Sequence, residues 1–196
     1  NATPDFRLIS CDHNDGIIQR DHRRLALDSG GWAKGLAADQ AVAAALGAGA
    51  RSAQVNCGFD IVRHGESAWE CLIRHPRRSF RDVAVRCRHH YRAVATSANT
   101  ETWRAGSNAH RYGHLMDPRT GAPAQSDLDS VTVFADDGFM ADALASALFV
   151  MGQDDAIRWL RLHPDVGAVL IPTEWNDEIG TLQVFGRIEA NKAVGS

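Results

Sequence analysis

Lysine is nearly missing from this 196-residue chain: Lys34 and Lys192 stand against nineteen arginines. A lysine kept in such a background marks its segment for attention. Long apolar runs are missing too, and none approaches the ~18–20 residues of a membrane span. There is no excess of positive charge. The formal net charge of −3 gives no sign of nucleic acid or an anionic membrane as partner. The four cysteines, Cys11, Cys57, Cys71 and Cys87, include no CxxC pair, which argues against a zinc ribbon or a thioredoxin-type site. A chain of this size has no need of disulfides, so most of them are expected to be buried free thiols. The opening residues, Asn1 to Asp5, lack the basic and apolar stretches of a signal peptide. The expectation is a chain that stays inside the cell, or one whose targeting segment has been removed.

What is present is ordinary for a globular domain: 44% hydrophobic and 23% charged residues, long enough to bury a core in a single domain. No repeat or low-complexity tract occurs. Residues 6–10 and 16–19 read as short β patches around an Asn/Asp/Gly turn. An alanine-rich helix is predicted over 36–46, stopped by Gly47 and Gly49. Strands are predicted over 53–56, 68–74, 83–88, 91–95, 130–135 and 166–172, with a last, edge strand over 181–188. Residues 98–112 read as loop and 114–123 as a turn-rich segment. Helices are predicted over 140–151, strongly apolar, and 154–162, amphipathic. Strand blocks mixed with isolated helices give an α+β or mixed α/β domain.

Three segments carry candidate chemistry. In the first, Gly30 and Gly31 precede a helix, Lys34 lies just inside it and Asp39 follows. Adjacent glycines allow close backbone approach, and a helix N-terminus with a lysine suits phosphate. The spacing matches neither a Walker loop nor a Rossmann fingerprint, and a tight turn with a solvated lysine fits equally well. The second is 114–123. His114 is a candidate proton carrier because histidine titrates near neutrality, and Arg119 suits a carboxylate or phosphate. The alternative is an irregular turn in which Asp117 makes an Asx-type hydrogen bond. The third places Asp142 and Ser146 four apart on one face of an apolar helix. A carboxylate buried there needs a partner. A hard cation such as Mg²⁺ would satisfy it, as would a helix-capping role shared with Asp136 and Asp137.

The other histidines read as bland. His13, His22, His64 and His110 sit in polar surroundings, His75 and His163 precede prolines, and His89 and His90 point to opposite faces of a strand. Arg74, Arg77 and Arg78, extended by Arg81, read as a solvated basic surface.

Taken in order, these segments resemble the ApbE family, the FAD:protein FMN transferases (once called thiamine-biosynthesis lipoproteins). The family pattern D-L-G-G-I-A-K-G-Y-A-x-D corresponds to Asp28 through Asp39, and V-N-x-G-G-D to Val55 through Asp60. V-A-T-S-G corresponds to Val94 through Ala98, and H-I-I-D-P-x-T-G-x-P to His114 through Pro123. S-V-T-V followed by A-D-A-L-S/A-T-A-L-F-V-x-G corresponds to Ser130–Val133 and Ala141–Gly152. The resemblance implies an α+β, T-fold-related architecture and a single domain that forms the C-terminal part of the family unit. It implies FAD as substrate, Mg²⁺ as cofactor, and transfer of FMN to a threonine hydroxyl of an acceptor flavoprotein with release of AMP.

Residue by residue, Mg²⁺ would be held by Asp142, Ser146 and the Ala33 carbonyl. The cofactor would be bound by Gly30, Gly31, Lys34, Asp39, His114 and Met116, with His114 as general base. Asp39 would bind or brace the site, and its bland alternative is a surface carboxylate. Ser146 replaces the usual threonine and keeps the ligating oxygen. Phe59 and Ala98 replace glycines; each takes up room a flavin would use and resists positive φ. Trp32 is placed to contact an isoalloxazine ring. The resemblance also implies a periplasmic or cell-envelope setting, although no lipobox is visible, and leaves room for a homodimer. Two other functions fit the same motifs: a non-catalytic FAD-binding relative, and a Mg²⁺-dependent FAD pyrophosphatase releasing FMN and AMP.

Overall fold

The computed structural model describes residues 6–22, 25, 27–78, 82–98, 104–105, 111–178 and 181–192. Arg81 and His110 lie outside them. A 3-10 turn (Phe6–Leu8) leads into the hairpin of β1 (Ile9–Asp12) and β2 (Ile17–Arg20). Helix α1 (Ala33–Gly47) is followed by β3 (Ala53–Cys57), β4 (Asp60–His64), β5 (Trp69–Arg74), β6 (Val83–His89) and β7 (Ala93–Ala98). Four two-residue strands come next, β8 (Arg104–Ala105) with β9 (Arg111–Tyr112), and β10 (Met116–Asp117) with β11 (Ala122–Pro123). The chain continues with β12 (Leu128–Ala135), α2 (Gly138–Met151), α3 (Gln153–Leu162), β13 (Gly167–Pro172), β14 (Gln183–Phe185) and β15 (Ile188–Lys192).

The architecture is three layers. An antiparallel six-stranded sheet, ordered β14-β13-β12-β7-β4-β3, forms the middle, and a three-stranded sheet, β15-β6-β5, covers one face. The helices cover the other. Period-two alternation builds both interfaces from the same strands. Ala93, Ala95, Val133, Ala168 and Leu170 face the helices, where Ala141, Ala145 and Leu148 of α2 meet them. Val94, Phe134, Val169 and Ile171 face the small sheet and pack on Trp69, Ile73, Val85 and Cys87. Central strands buried on both faces read as nearly continuous apolar runs, and β13 is buried from Gly167 to Ile171.

The structure departs from the sequence expectations in five places. Of the β patch expected over 6–10, Phe6–Leu8 is a 3-10 turn and the strand begins at Ile9. Strand β4 has no counterpart among them, because its Asp, Arg and His disguise a strand whose two faces are covered unequally. The single strand expected over 181–188 is two strands in different sheets: β14 pairs with β13 and β15 with β6, with the chain turning at Gly186. Part of the expected loop over 98–112 pairs as β8 with β9. Helix α1 begins three residues earlier than 36, which places Lys34 in its first turn. Of the cysteines, Cys71 and Cys87 are buried directly opposite each other on β5 and β6, Cys57 is half-buried and Cys11 is exposed.

Candidate functional site

Helices α1 and α2 cross where Gly35 meets Gly138. A Cβ on Gly35 would lie 2.0 Å from the Gly138 carbonyl oxygen, and one on Gly138 2.6 Å from the Gly35 carbonyl oxygen. Only two glycines permit this approach. At the crossing the helices cap each other. Asp39 of α1 accepts the Gly138 and Phe139 N–H groups, at 2.8 and 2.9 Å, at the start of α2. Asp142 of α2 accepts the Gly35 N–H, at 3.2 Å, in the first turn of α1. N-terminal N–H groups left without helical partners are thereby satisfied. Asp39 is thus occupied as a brace and is absent from the cavity wall described below. Asp142 does cap a helix, but α1 and not its own; α2 is capped by Asp137, which accepts the Met140 N–H at 2.7 Å.

Crossing the helices this closely concentrates charge. Asp142 is 3% exposed and Asp60, the first residue of β4, is 1% exposed. The Lys34 ammonium lies between them, 3.2 Å from Asp60 Oδ2 and 3.2 Å from Asp142 Oδ1. It also donates to the Gly30 carbonyl oxygen at 3.3 Å. Burial, and then the negative charge of Asp142, push Asp60 up to about 6, against the opposing pull of Lys34. Burial penalises the Lys34 ammonium, but the two carboxylates outweigh it and hold its pKa above the ordinary lysine value. One turn beyond Asp142, Ser146 Oγ lies 3.0 Å from Ser97 Oγ on β7. A Cβ on Gly31 would come within 3.3 Å of Ser146 Oγ, so the Gly30-Gly31 turn is folded against this hydroxyl.

These groups stand at a cavity of about 1100 Å³, slightly above the usual range for small-molecule sites. Its walls carry Gly30, Gly31, Lys34, Asp142 and Ser146, and also His114 and Met116, both exposed, from the segment leading into β10. The structure therefore brings together Gly30, Gly31, Lys34, His114, Met116, Asp142 and Ser146 from distant parts of the sequence. Ala33 opens α1 beside Lys34.

Three expectations are corrected. Trp32 is not on the cavity wall; it packs on Phe139, ring centroids 5.9 Å apart. Arg119 is not on the cavity wall; its guanidinium and backbone N–H bind the Asp117 carboxylate within their own turn. The arginines at the end of β5 and just beyond it are not a merely solvated surface. Arg74 lies over the Phe59 ring at 4.2 Å, a cation–π contact at the cavity. Arg77 pairs with Asp129, and Arg78 with Asp177. His75 is buried and bonds Asp177 at 2.9 Å. Phe59 and Ala98 do line the cavity, but neither takes positive φ, and the left-handed residue of the β3–β4 turn is Gly58, φ +71. The backbone objection to Phe59 therefore falls away.

Asp60 and Ser97 are the site residues that residue-level reading passed over. Each lies within a motif block, yet only strand pairing shows that its side chain meets α1 or α2.

The sequence model of the ApbE family matches residues 1–170. An FAD:protein FMN transferase of Rhodobacter capsulatus is 35% identical over 180 residues, 88% of this chain and 33% of that protein. One from Treponema pallidum is 34% identical over 166 residues, 79% of this chain and 46% of that protein. The crystal structure of the ApbE protein from Thermotoga maritima superposes with a TM-score of 0.77 at 28% identity, covering 95% of this chain and 58% of that one. The chain thus spans a third to a half of the length of these two curated relatives. The family match embraces every motif block that meets at the cavity, and the chain belongs to the ApbE family.

Proposed function

We propose that this chain carries the flavin-transfer site of an FAD:protein FMN transferase, and that it moves FMN from FAD to a threonine hydroxyl of an acceptor protein. The observation that carries this reading is the convergence of Asp142 and Ser146 with the Gly30-Gly31 turn, Lys34 and His114 around one large cavity. In the reaction the threonine oxygen bonds to the FMN-side phosphorus and the pyrophosphate P–O bond breaks. AMP leaves with the bonding electron pair, and the hydroxyl proton passes to His114, the exposed one of the two histidines that line the cavity, since His75 is buried against Asp177.

The residues suit Mg²⁺. Two buried carboxylates face one ammonium, leaving a negative balance, and neither Asp60 oxygen receives a hydrogen bond of good geometry among the described residues. Among the described residues no three His, Cys, Asp or Glu side chains converge, so an ion here would also use hydroxyl and carbonyl oxygens, donors that a hard cation accepts. Asp142, Ser146 and the Ala33 carbonyl would hold it. Bound there, Mg²⁺ would neutralise charge developing on the pyrophosphate. The Gly35 N–H orients the Asp142 carboxylate, Ser97 orients the Ser146 hydroxyl, and the glycine turn leaves room for phosphate oxygens beside it. The family setting suggests the periplasm or cell envelope; among the described residues no helix is long and apolar enough to cross a membrane.

The test is intact-mass spectrometry of a threonine-bearing flavin acceptor protein incubated with this chain, FAD and Mg²⁺, beside an EDTA control. An FMN-sized adduct only with Mg²⁺ is expected. Free FMN without adduct would identify a pyrophosphatase, and retained FAD without turnover a binding-only relative.

A further inference from the structure

One buried side chain at the site has no task in this reading. Asp60 is not on the cavity wall, whereas Lys34 and Asp142 are. It sits behind them at the start of β4, 1% exposed, with the Lys34 ammonium 3.2 Å from its Oδ2. The two oxygens of Asp142 are held unequally. Oδ2 takes both the Gly35 N–H, at 3.2 Å, and the ammonium, at 3.3 Å, while Oδ1 takes the ammonium at 3.2 Å. If the ammonium withdraws, the Gly35 N–H still fixes the carboxylate and Oδ1 is released to the cavity. An ammonium and a divalent cation compete for Oδ1, since like charges at that range repel. An ammonium has three donors, and away from Asp142 the oxygens left beside it are Asp60 Oδ2, already its ion-pair partner at 3.2 Å, and the Gly30 carbonyl oxygen that accepts from it.

We propose that Asp60 is a positioning residue for Lys34, the buried anchor that keeps the ammonium when Asp142 Oδ1 takes a metal ion. Without this anchor Lys34 competes with the ion for Asp142. With it, the lysine stays at the cavity wall, charged and beside the metal. The inference rests on the reading of Asp142 as a metal ligand.

The test is a double-mutant cycle read by calorimetric titration with MgCl₂ on unsubstituted protein, Asp60→Asn, Lys34→Met and the pair. Asp60→Asn is expected to weaken Mg²⁺ binding about tenfold when Lys34 is present and to change it far less in the Lys34→Met background. Equal fold-changes in both backgrounds would make Asp60 a ligand or a remote charge and overturn the proposal. No change in either would overturn it too.

A second measurement needs no variant. With only two lysines in the chain, ¹³Cε-lysine labelling yields two side-chain signals. Mg²⁺ is expected to move the Lys34 signal and leave Lys192 in place; an unmoved Lys34 signal at saturating Mg²⁺ would show that the ammonium stays on Asp142 and defeat the proposal. If unsubstituted protein binds no Mg²⁺, the reading of Asp142 as a metal ligand fails first and Asp60 with it. If Mg²⁺ binds and the cycle shows no coupling, the proposal for Asp60 alone fails.

Discussion

Asp142 holds α1 by its Gly35 bond and faces the cavity with its other oxygen, so its two roles separate by substitution. Asp142→Ala is expected to abolish Mg²⁺ binding and flavin transfer and to cost about 1–2 kcal/mol, the usual loss for an N-cap acceptor. Asp142→Asn retains an oxygen for the Gly35 N–H and should recover most of that stability without recovering the metal; urea unfolding and MgCl₂ titration read the two effects. Retained turnover in Asp142→Ala would sink the metal assignment. His89 illustrates a different residue-scale effect. It is 1% exposed between the Trp69 and Phe134 rings, with centroids at 4.4 and 4.7 Å. Burial holds its pKa down to about 4. The unfolded chain takes up a proton near pH 6.5 that the folded chain refuses until about 4. Stability from this group is therefore present above pH 6.5 and lost as the pH falls through that window. His89→Phe should flatten the fall by up to about 1.4 kcal/mol per pH unit, the slope of one proton. Denaturant midpoints measured from pH 7 to 4 check this, and an unchanged slope would count against it.

At the scale of elements, the site depends on the α1–α2 crossing. Asp39 and Asp142 cap each other's helices, and Gly35 and Gly138 bring them close enough to do so. Gly35→Ala would set a methyl 2.0 Å from a backbone carbonyl oxygen, a clash no side-chain rotation relieves. The expected loss is about 3 kcal/mol, the upper end of ordinary overpacking, seen as a lower urea midpoint with weaker Mg²⁺ binding because the Ala33 carbonyl on α1 parts from Asp142 and Ser146 on α2. Asp39→Ala should cost about 1 kcal/mol by leaving two N–H groups at the start of α2 unpaired. It is expected to disturb flavin binding less than Asp142→Ala, since Asp39 braces the site from outside the cavity. FAD titration by fluorescence compares the two.

At the scale of the whole molecule, the cavity lies where three layers meet: strands of the middle sheet, β5 of the small sheet and the starts of α1 and α2 each supply wall. A ligand there ties layers together, and binding only the folded state adds stability as the logarithm of ligand concentration over Kd. Mg²⁺ with FAD at a hundred times Kd should therefore add about 2.7 kcal/mol, visible as a raised Tm by scanning calorimetry. EDTA should remove the metal's share, and Asp142→Ala should show none of it. Equal shifts in Asp142→Ala would place the binding elsewhere.

The sequence by itself determined the class of fold and the three helices, because periodic apolar patterns and Gly/Pro punctuation are local signals, and its resemblance to the ApbE family supplied the motif blocks that meet at the cavity. It also marked Lys34 and the Asp142–Ser146 pair, whose helical spacing is local too. Tertiary structure alone decided the partners. No spacing reveals that Asp39 caps the other helix, that Asp60 stands 3.2 Å from Lys34, or that Arg119 is spent on Asp117 while Arg74 covers Phe59. Strand β4 is hidden in the sequence because its Asp, Arg and His mask the apolar alternation, and its place in the sheet is set by pairing with β7, distant in sequence, as well as with its neighbour β3. The splitting of 181–188 between two sheets has the same origin. A strand pattern records which side of a segment is covered, but which sheet covers it depends on where the rest of the chain has already packed.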